Sequence, residues 1–299
     1  MKRIDWIRLC VLSLVWGGSF LFYRILAFEL PPFTTVLSRC AIGSVAILLY
    51  LRADGVRLDI PRSQLPKLLL LALINNAIPF TLFAWAETRV SGGVASIINA
   101  ATPILTLLVG ALIFRNETLG LRRITGIVCG LVGVMVVVGP GVLLGADALG
   151  QLACLLAPIC YSFAFQVARR ITGMAPPSLA CTQLGLSALM LLPLSLLFEA
   201  PWTLPGLSLT AWGAVAGLGL LSTGFAYVVF FRVLASAGPT NLSLVTQMVP
   251  VSALALGWFV LGEQAGPQAV AGMALIALGL ATIDGRLVAM ARKHLAAPA

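Results

Sequence analysis

The chain has 299 residues, of which 60% are hydrophobic and only 10% are charged, and its mean hydropathy is +1.04. Soluble domains typically carry about 25% charged residues, so this composition excludes a soluble protein and predicts a chain that lives in the lipid bilayer. The net charge of +9 would suit a nucleic-acid partner. We expect no such partner, because the positions of the basic residues explain the charge in another way.

Ten apolar stretches follow one another along the chain, each close to the 20 or so residues that a spanning helix needs. They cover residues 6–26, 33–51, 68–87, 91–114, 124–143, 149–168, 178–198, 209–231, 240–262 and 268–289. Almost nothing remains for a soluble domain, so we predict an all-α integral membrane protein with ten transmembrane helices. The first stretch has the length of a full span and no cleavage pattern after it, which favours a retained helix over a signal peptide.

The basic residues fall almost entirely in alternate connecting segments. These segments contain Lys2, Arg3, Arg52, Arg57, Arg62, Lys67, Arg115, Arg122, Arg123, Arg169, Arg170, Arg232, Arg286, Arg292 and Lys293. The opposite set contains Arg89 with Glu29, Glu87, Asp147, Glu199 and Glu263. Cytoplasmic segments of membrane proteins carry the excess of Lys and Arg, so both termini are predicted to be cytoplasmic.

Two stretches of the chain repeat one another. The sequence ATPILTLLVGALIFRNE at residues 101–117 has a counterpart, MVPVSALALGWFVLGE, at residues 248–263. Both run from a proline through an apolar segment to a glutamate. The recurring pairs, 145 to 147 residues apart, are Pro31-Pro32 with Pro176-Pro177, Pro103 with Pro250, Glu117 with Glu263, Gly126 with Gly272, Gly133 with Gly279 and Gly139 with Gly285.

This duplication predicts two five-helix repeats, at residues 1–145 and 146–299. Because five is an odd number, the second repeat starts on the opposite side of the membrane, and the two repeats are inverted relative to each other. Inverted repeats are typical of transporters, whose halves exchange roles to open one side of the membrane and then the other. The glycines of GIVCGLVG, residues 126–133, predict close helix packing within the chain.

Several motifs resemble the drug/metabolite transporter superfamily, in particular the ten-helix EamA-type exporters. They are WGGSF at 16–20, Arg39, Pro103 with NETLGLRRITGIVCGLVGV at 116–134, and Pro250 with LGEQAGPQAVAGMALIALG at 261–279. One departure is Asn116, where the second copy has Gly262. The resemblance implies export of small metabolites, with aromatic amino-acid exporters among the similar types, and a location in the bacterial cytoplasmic membrane.

The repeat also predicts where a substrate would bind, because sites in such folds lie near the midplane between the repeats. The repeat offsets align aromatic and polar positions that lie four residues apart, on one helix face. The aligned pairs are Trp16 with Tyr161, Phe20 with Phe165, Asn76 with Thr223 and Phe80 with Tyr227. We expect a cavity with aromatic walls. The alternative is that these aromatic residues only fill the core or form an interfacial belt.

Two prolines add polar groups at the same depth. Pro103 and Pro250 each displace the carbonyl four residues earlier, which belongs to Asn99 and Thr246, and Gln247 is adjacent. In hydrocarbon such carbonyls must face protein or a watery cavity. We therefore include Asn99, Thr246 and Gln247 among the predicted substrate-binding residues, while the alternatives are that the polar side chains bridge helices and that the prolines only kink them.

Charged residues near the spans have separate predicted roles. Arg39 lies about six residues into the second span, and such a cation either recognises a substrate carboxylate or anchors the helix. Glu117 and Glu263 lie at helix ends on opposite sides of the membrane. They are predicted to act as gate or loop contacts, because they are too near the surfaces to bind a central substrate.

What the spans lack narrows the function further. No Asp or Glu lies in the middle of any span, which counts against a cationic drug and leaves Glu87, at the end of the third span, as a candidate proton carrier. The middle of the spans also lacks the several Arg or Lys residues that would be needed to bind a phosphate group. His294 is the only histidine, and no Ser or Cys has an evident base partner. We expect no catalytic residue, cofactor or metal.

The sequence therefore predicts an exporter of small neutral metabolites, most simply amino acids with aromatic or apolar side chains, that works by alternating access. The alternatives are an importer or facilitator of another small metabolite, or a multidrug efflux protein, in the same fold. The expected partners are the small-molecule substrate and the lipid bilayer. The sequence leaves the oligomeric state and the energy source open.

Overall fold

A computed structural model describes residues 2–139 and 148–284, and within these ranges all regular structure is helical. Ten helices cross the molecule in the described ranges, which confirms the predicted fold class. They are α1 (Arg3–Leu26), α2 (Pro32–Ala53), α3 (Arg62–Ala86), α4 (Gly92–Leu112), α5 (Leu121–Val138), α6 (Ala148–Ala168), α7 (Pro176–Glu199), α8 (Leu209–Gly238), α9 (Val245–Leu261) and α10 (Pro267–Asp284). By length and composition, all but the 17-residue α9 are long and apolar enough to span a membrane.

The largest difference from the predicted spans is at the boundary between α8 and α9. The eighth span was expected to end at residue 231 and the ninth to begin at 240, but α8 continues to Gly238 and α9 begins at Val245. Gly238 has a φ of +77°, which ends the helix. Several sequence predictions lie outside the described residues, namely the boundary between residues 145 and 146 and the roles given to Asp147, Gly285, Arg286, Arg292, Lys293 and His294.

Successive helices run in opposite directions, so the bundle has two ends. We call the end at which α1 begins the proximal end and the end at which α1 finishes the distal end. Lys67 donates to the carbonyl of Arg170 at the proximal end (3.2 Å). At the distal end, Glu199 accepts a hydrogen bond from the backbone N–H of Phe33 (2.8 Å).

The helix contacts follow the internal repeat. α1 packs against α9 in the same way that its counterpart α6 packs against α4, and α1 contacts α8 as α6 contacts α3. Three other contacts, α2 with α7, α4 with α9 and α5 with α10, join a helix directly to its own counterpart. This is the contact pattern of two equivalent halves related by a two-fold axis.

Helices α5 and α10 approach closely through their glycines. A Cβ atom on Gly279 would lie 2.6 Å from the carbonyl oxygen of Gly126, and one on Gly272 would lie 2.6 Å from the carbonyl oxygen of Gly133. Neither position has room for a side chain, so these glycines let the two backbones touch. The predicted close packing within the chain is confirmed.

Gly279→Ala is therefore expected to destabilise the protein by about 1–3 kcal/mol, as overpacking of a tight contact does. Gly213→Ala is the matched control, because nothing lies within 4 Å of a Cβ atom at that helical position. Thermal unfolding of the purified variants in detergent is the measurement. Equal melting temperatures for the two variants would contradict the close-packing interpretation.

Three helices are interrupted near the middle of the bundle. α3 contains a π-helical turn at Leu73–Ala77, and α8 contains a longer one at Gly217–Phe225. These two segments are counterparts in the repeat. α4 is divided into a distal half, Gly92–Asn99, and a proximal half, Thr102–Leu112. π-Helical turns often mark functional sites, and these interruptions surround the cavity described next.

Candidate functional site

A cavity of about 290 Å³ lies between the interrupted helices. Its walls come from α1, α2, α3, α4, α6, α8 and α9, so both repeats contribute. The lining residues are Trp16, Ser19, Phe20, Tyr23, Arg39, Asn75, Phe80, Phe83, Asn99, Thr102, Tyr161, Tyr227, Thr246 and Val249. The wall is thus mainly aromatic, with a few hydroxyl and amide groups and one cation.

Most of the residues singled out from the sequence meet at this cavity. Those that line it are Trp16, Phe20, Arg39, Phe80, Asn99, Tyr161, Tyr227 and Thr246. The rings contact one another around the wall. Phe20 and Phe83 meet edge to face with centroids 5.6 Å apart, and Phe83 stacks on Tyr161 at 6.5 Å. Whether these residues bind substrate stays a prediction.

Four predicted site residues do not line this cavity. Phe165 lies one helical turn beyond Tyr161 toward the proximal end, where its side chain is 52% exposed and borders a second cavity. Gln247 follows Thr246 directly, and adjacent helical residues point about 100° apart, so only one of them faces the cavity.

The other two, Asn76 and Thr223, form the layer behind the wall. Asn76 is fully buried and donates to the Ser187 hydroxyl (3.3 Å). Asn75 takes the predicted place in the wall, because the π-helical turn in α3 changes which residue faces inward. Thr223 accepts a hydrogen bond from Nε of Arg39 (3.0 Å) and so supports the cation.

Among the described residues of the cavity wall, Arg39 is the only charged one, and its side chain is buried. Its guanidinium lies over the Phe80 ring, 3.8 Å from the centroid, and Nη1 donates to the Tyr23 hydroxyl (2.7 Å). The hydrogen bonds to Tyr23 and Thr223 are the only ones that the Arg39 guanidinium forms with described residues. A guanidinium has five N–H donors, so donors remain for an anionic group in the cavity.

Ser19 offers a second unused polar group. Its hydroxyl is buried in the cavity wall and has no hydrogen-bond partner among the described residues. Buried hydroxyls are normally paired, so this one is suited to a ligand or to water. Sequence comparison of the repeats missed Ser19 and Tyr23, although Trp16, Ser19, Phe20 and Tyr23 have the i, i+3, i+4, i+7 spacing of one helix face.

The interruption of α4 places further polar groups at the wall. Pro103 follows directly on the break, and the Thr102 hydroxyl donates to the carbonyl oxygen of Asn99 (2.6 Å). The carbonyl freed by the proline is thereby satisfied within the chain, as the low-dielectric surroundings require. Pro250 differs from Pro103, because it lies inside the continuous helix α9.

A second cavity, of about 260 Å³, continues toward the proximal end. It shares Asn75, Thr102 and Tyr161 with the first, and its other lining residues are Leu71, Thr106, Ala164, Phe165, Ala168, Leu179 and Gln183. Asn75 donates to Gln183 Oε1 (3.1 Å) where the two cavities meet. The two cavities together form a path from the centre of the bundle toward its proximal end.

Matched ion pairs lie at the two ends of the bundle. At the distal end, Nε of Arg24 is 3.2 Å from Oε1 of Glu263, and we call this the distal ion pair. At the proximal end, Nη1 of Arg169 is 3.9 Å from Oε1 of Glu117, and we call this the proximal ion pair. Each residue of one pair is the repeat counterpart of a residue in the other. Glu117 also accepts a hydrogen bond from Arg123 (3.2 Å).

The distal end is further tied together by carboxylates that cap helices. Glu199, at the end of α7, accepts hydrogen bonds from the backbone N–H groups of Phe33 and Thr34, which begin α2. Its counterpart at the end of α2 is Asp54, which is exposed. Glu29 accepts hydrogen bonds from Ser208 at the start of α8, and these bonds lower the pKa of the Glu29 carboxyl.

A ten-helix bundle with inverted halves and a cavity near its middle is the architecture of a membrane transporter. Comparison with known proteins agrees: the EamA-like transporter family matches residues 6–139 and 148–283, so it matches both halves. The chain belongs to the EamA-like transporter family, which comprises transporters rather than enzymes, and it is a multi-pass membrane transporter. Among the described residues, no cluster of three or more His, Cys, Asp or Glu could hold a metal.

Individual relatives are distant but cover most of the chain. The chain is 27% identical over 271 residues to YoaV, an uncharacterised transporter of Bacillus subtilis, covering 90% of this chain and 92% of that protein. It is 28% identical over 264 residues to a probable terminal-alkyne amino-acid exporter of Streptantibioticus cattleyicolor, covering 86% of this chain and 85% of that protein. A solved crystal structure has the same fold, with a TM-score of 0.66 and 20% identity. The match covers 96% of this chain and 99% of the chain in that structure.

Proposed function

We propose that this transporter exports amino acids with aromatic or apolar side chains across the bacterial cytoplasmic membrane. The observation that carries the proposal is the composition of the cavity wall, where one arginine lies among aromatic rings. Arg39 would bind the substrate carboxylate, the rings would pack on the side chain, and Ser19, Asn75 and Asn99 would bind the amino group. The similarity to a probable amino-acid exporter supports the same substrate class.

The size and charge of the cavity favour this class over others. A volume of about 290 Å³ lies at the lower end of the ~300–1,000 Å³ typical of small-molecule sites, which suits a single small metabolite. The wall residues that the structure describes include no Asp or Glu, so a cationic drug would lack a counter-charge. They include one cation only, whereas phosphate groups favour several.

The direction of access also suits export. The basic connecting segments lie at the proximal end, and the positive-inside rule then makes this end cytoplasmic. The second cavity extends toward the same end, whereas the distal end is held by the distal ion pair and the helix caps of Glu199 and Glu29. A site reached from the cytoplasm and closed on the outside is the state that loads an exported substrate.

The two ion pairs would serve as gates in this cycle. The distal ion pair is the shorter and the less exposed, with side-chain exposures of 26% and 19% for Arg24 and Glu263, against 52% and 31% for Arg169 and Glu117. Because the pairs are repeat counterparts, opening outward would lengthen the distal ion pair and tighten the proximal one. The gate role of Glu117 and Glu263 is therefore part of this proposal.

The function is tested with purified protein in liposomes loaded with radiolabelled L-phenylalanine. Efflux well above that of protein-free liposomes is expected, and unlabelled L-tryptophan should compete while choline should not. The same vesicles, empty and placed in labelled L-phenylalanine, measure uptake and so test the alternative of an importer or facilitator. Absence of protein-dependent phenylalanine movement in both arrangements would overturn the proposal.

The aromatic wall gives a separate prediction. Trp16→Ala, Tyr161→Ala and Tyr227→Ala are each expected to slow phenylalanine efflux about 5- to 100-fold. Loss of a ring contact removes aromatic pairing and buried apolar area, together about 1–3 kcal/mol. Phe198→Ala is the control, because Phe198 is exposed on the bundle surface. If all three wall variants transported like the control, this cavity would not be the substrate site.

A further inference from the structure

Glu87 is a buried carboxyl group that the transport site does not use. It follows α3 at the distal end and is fully buried. Neither of its carboxyl oxygens has a hydrogen-bond partner among the described residues. An ionised carboxylate in such a position is very costly unless it is paired.

The nearest cation does not pair with this carboxyl group. Arg24 donates through Nη1 to the backbone carbonyl of Glu87, while its Nε forms the distal ion pair with Glu263. The carboxyl side chain instead faces Gly92, where a Cβ atom would lie 3.2 Å from Oε2. The glycine therefore leaves room for the carboxyl group to pack against the start of α4.

The electrostatic surroundings oppose a negative charge on Glu87. It lies at the C-terminal end of α3, where the helix dipole is negative, and the Glu263 carboxylate acts on it with the same sign. Arg24 and Arg39 act in the opposite direction, but Arg24 pairs with Glu263, and Arg39 donates no hydrogen bond to the Glu87 carboxyl group. The other titratable groups that interact with it are Tyr23 and Cys154.

We propose that Glu87 is a proton-binding site coupled to the distal gate: it holds a proton while the distal ion pair is closed and releases it to the outer water when the pair opens. Release breaks the carboxyl O–H bond and transfers one proton to water, leaving a carboxylate. Arg24, separated from Glu263 by the opening, is then next to this carboxylate and can pair with it. Closure reverses each step.

Protonation can be tested without any substrate. Infrared spectra of the purified protein in lipid, with 13C-labelled glutamate, are expected to contain the carbonyl stretch of a protonated glutamic acid at neutral pH. Glu87→Gln should lose this band. Glu29→Gln should keep it, because hydrogen bonds from Ser208 lower the pKa of Glu29 and keep that carboxyl ionised. No protonated glutamic acid in the wild type, or a band that survives Glu87→Gln, would overturn the proposal.

The coupling to the gate rests on the proposed export function and is measured in the phenylalanine assay. The closed state binds one proton more than the open state, so lowering the outer pH favours closure by up to about tenfold per pH unit. Efflux should therefore slow as the outer pH falls at fixed inner pH, and Glu87→Gln should remove this dependence. Asp59→Asn, which changes an exposed carboxylate at the proximal end, should retain it. Faster efflux at low outer pH would mean release of the proton on the cytoplasmic side and would overturn the assignment. If phenylalanine is not transported at all, the infrared result still decides protonation.

Discussion

Arg39→Gln is expected to reduce phenylalanine efflux by about 10- to 100-fold. A hydrogen bond to a charged group contributes about 1.5–3 kcal/mol, and the substitution removes the one cation of the cavity wall. Arg39→Lys should lose much of the activity as well, because a lysine keeps the charge but not the planar fork that binds a carboxylate through two bonds. The measurement is the initial rate of efflux from loaded liposomes.

The choice of substrate separates carboxylate binding from a merely structural role of Arg39. Phenethylamine has the ring and amino group of phenylalanine but no carboxylate. If Arg39 binds the carboxylate, Arg39→Gln reduces competition by phenylalanine but does not reduce the weaker competition by phenethylamine, a cation that loses a like charge from the wall. The alternative is that Arg39 only anchors Tyr23, Phe80 and Thr223. Arg39→Gln then weakens the competition of both compounds with labelled phenylalanine to the same degree, and the carboxylate assignment is wrong.

Reversing the charge at Arg24 is expected to have the second large effect, which is to open the distal end. In Arg24→Glu a carboxylate faces Glu263 and lies beside Glu87, so an attraction becomes a repulsion. The original pair is partly exposed and contributes about 0.2–1 kcal/mol, and the repulsion adds a similar amount. The population of distal-open molecules should then rise about tenfold. Electron paramagnetic resonance distances between labels at positions 28 and 259, both exposed, would measure the separation of the distal ends of α1 and α9.

Two further variants make this prediction specific. Arg24→Glu combined with Glu263→Arg restores opposite charges and should return the distances toward those of the parent. Glu117→Gln weakens the proximal ion pair and should shift the population in the opposite direction from Arg24→Glu. Labels require a background without native cysteines, which is reasonable because those described make no disulfide. Distances that stay the same in all variants would show that the ion pairs do not act as gates.

The fold followed from the sequence because its causes are periodic and strong. Ten apolar stretches and one duplication suffice to predict ten helices in two inverted repeats, and helix ends such as Arg3–Leu26 were predicted to within a few residues. Boundaries were less certain where an apolar stretch continues through a break. α8 and α9 are the example, since the break at Gly238 depends on backbone geometry that composition does not report.

The cavity was predicted in part, and the errors have physical causes. The repeat offset finds residues at the same depth, such as Trp16 and Tyr161, but it does not report the rotation of each helix. A π-helical turn changes that rotation, so Asn75 lines the cavity where Asn76 was expected. Partners from distant segments, such as Thr223 beneath Arg39, require the packed structure. The substrate-binding roles of all these residues remain predictions.

The division of α4 has a consequence for how the molecule can move. Its distal half, Gly92–Asn99, packs on α9, α6 and α1, whereas its proximal half, Thr102–Leu112, packs chiefly on α6. Two further contacts join the repeats. Helices α5 and α10 meet through their glycines, and α2 packs along α7. We therefore expect local bending to change access more readily than the swing of a whole repeat. Residues 100 and 101 form a turn with near-helical dihedrals between the two halves, and we expect α4 to bend at this turn when access to the cavity changes sides.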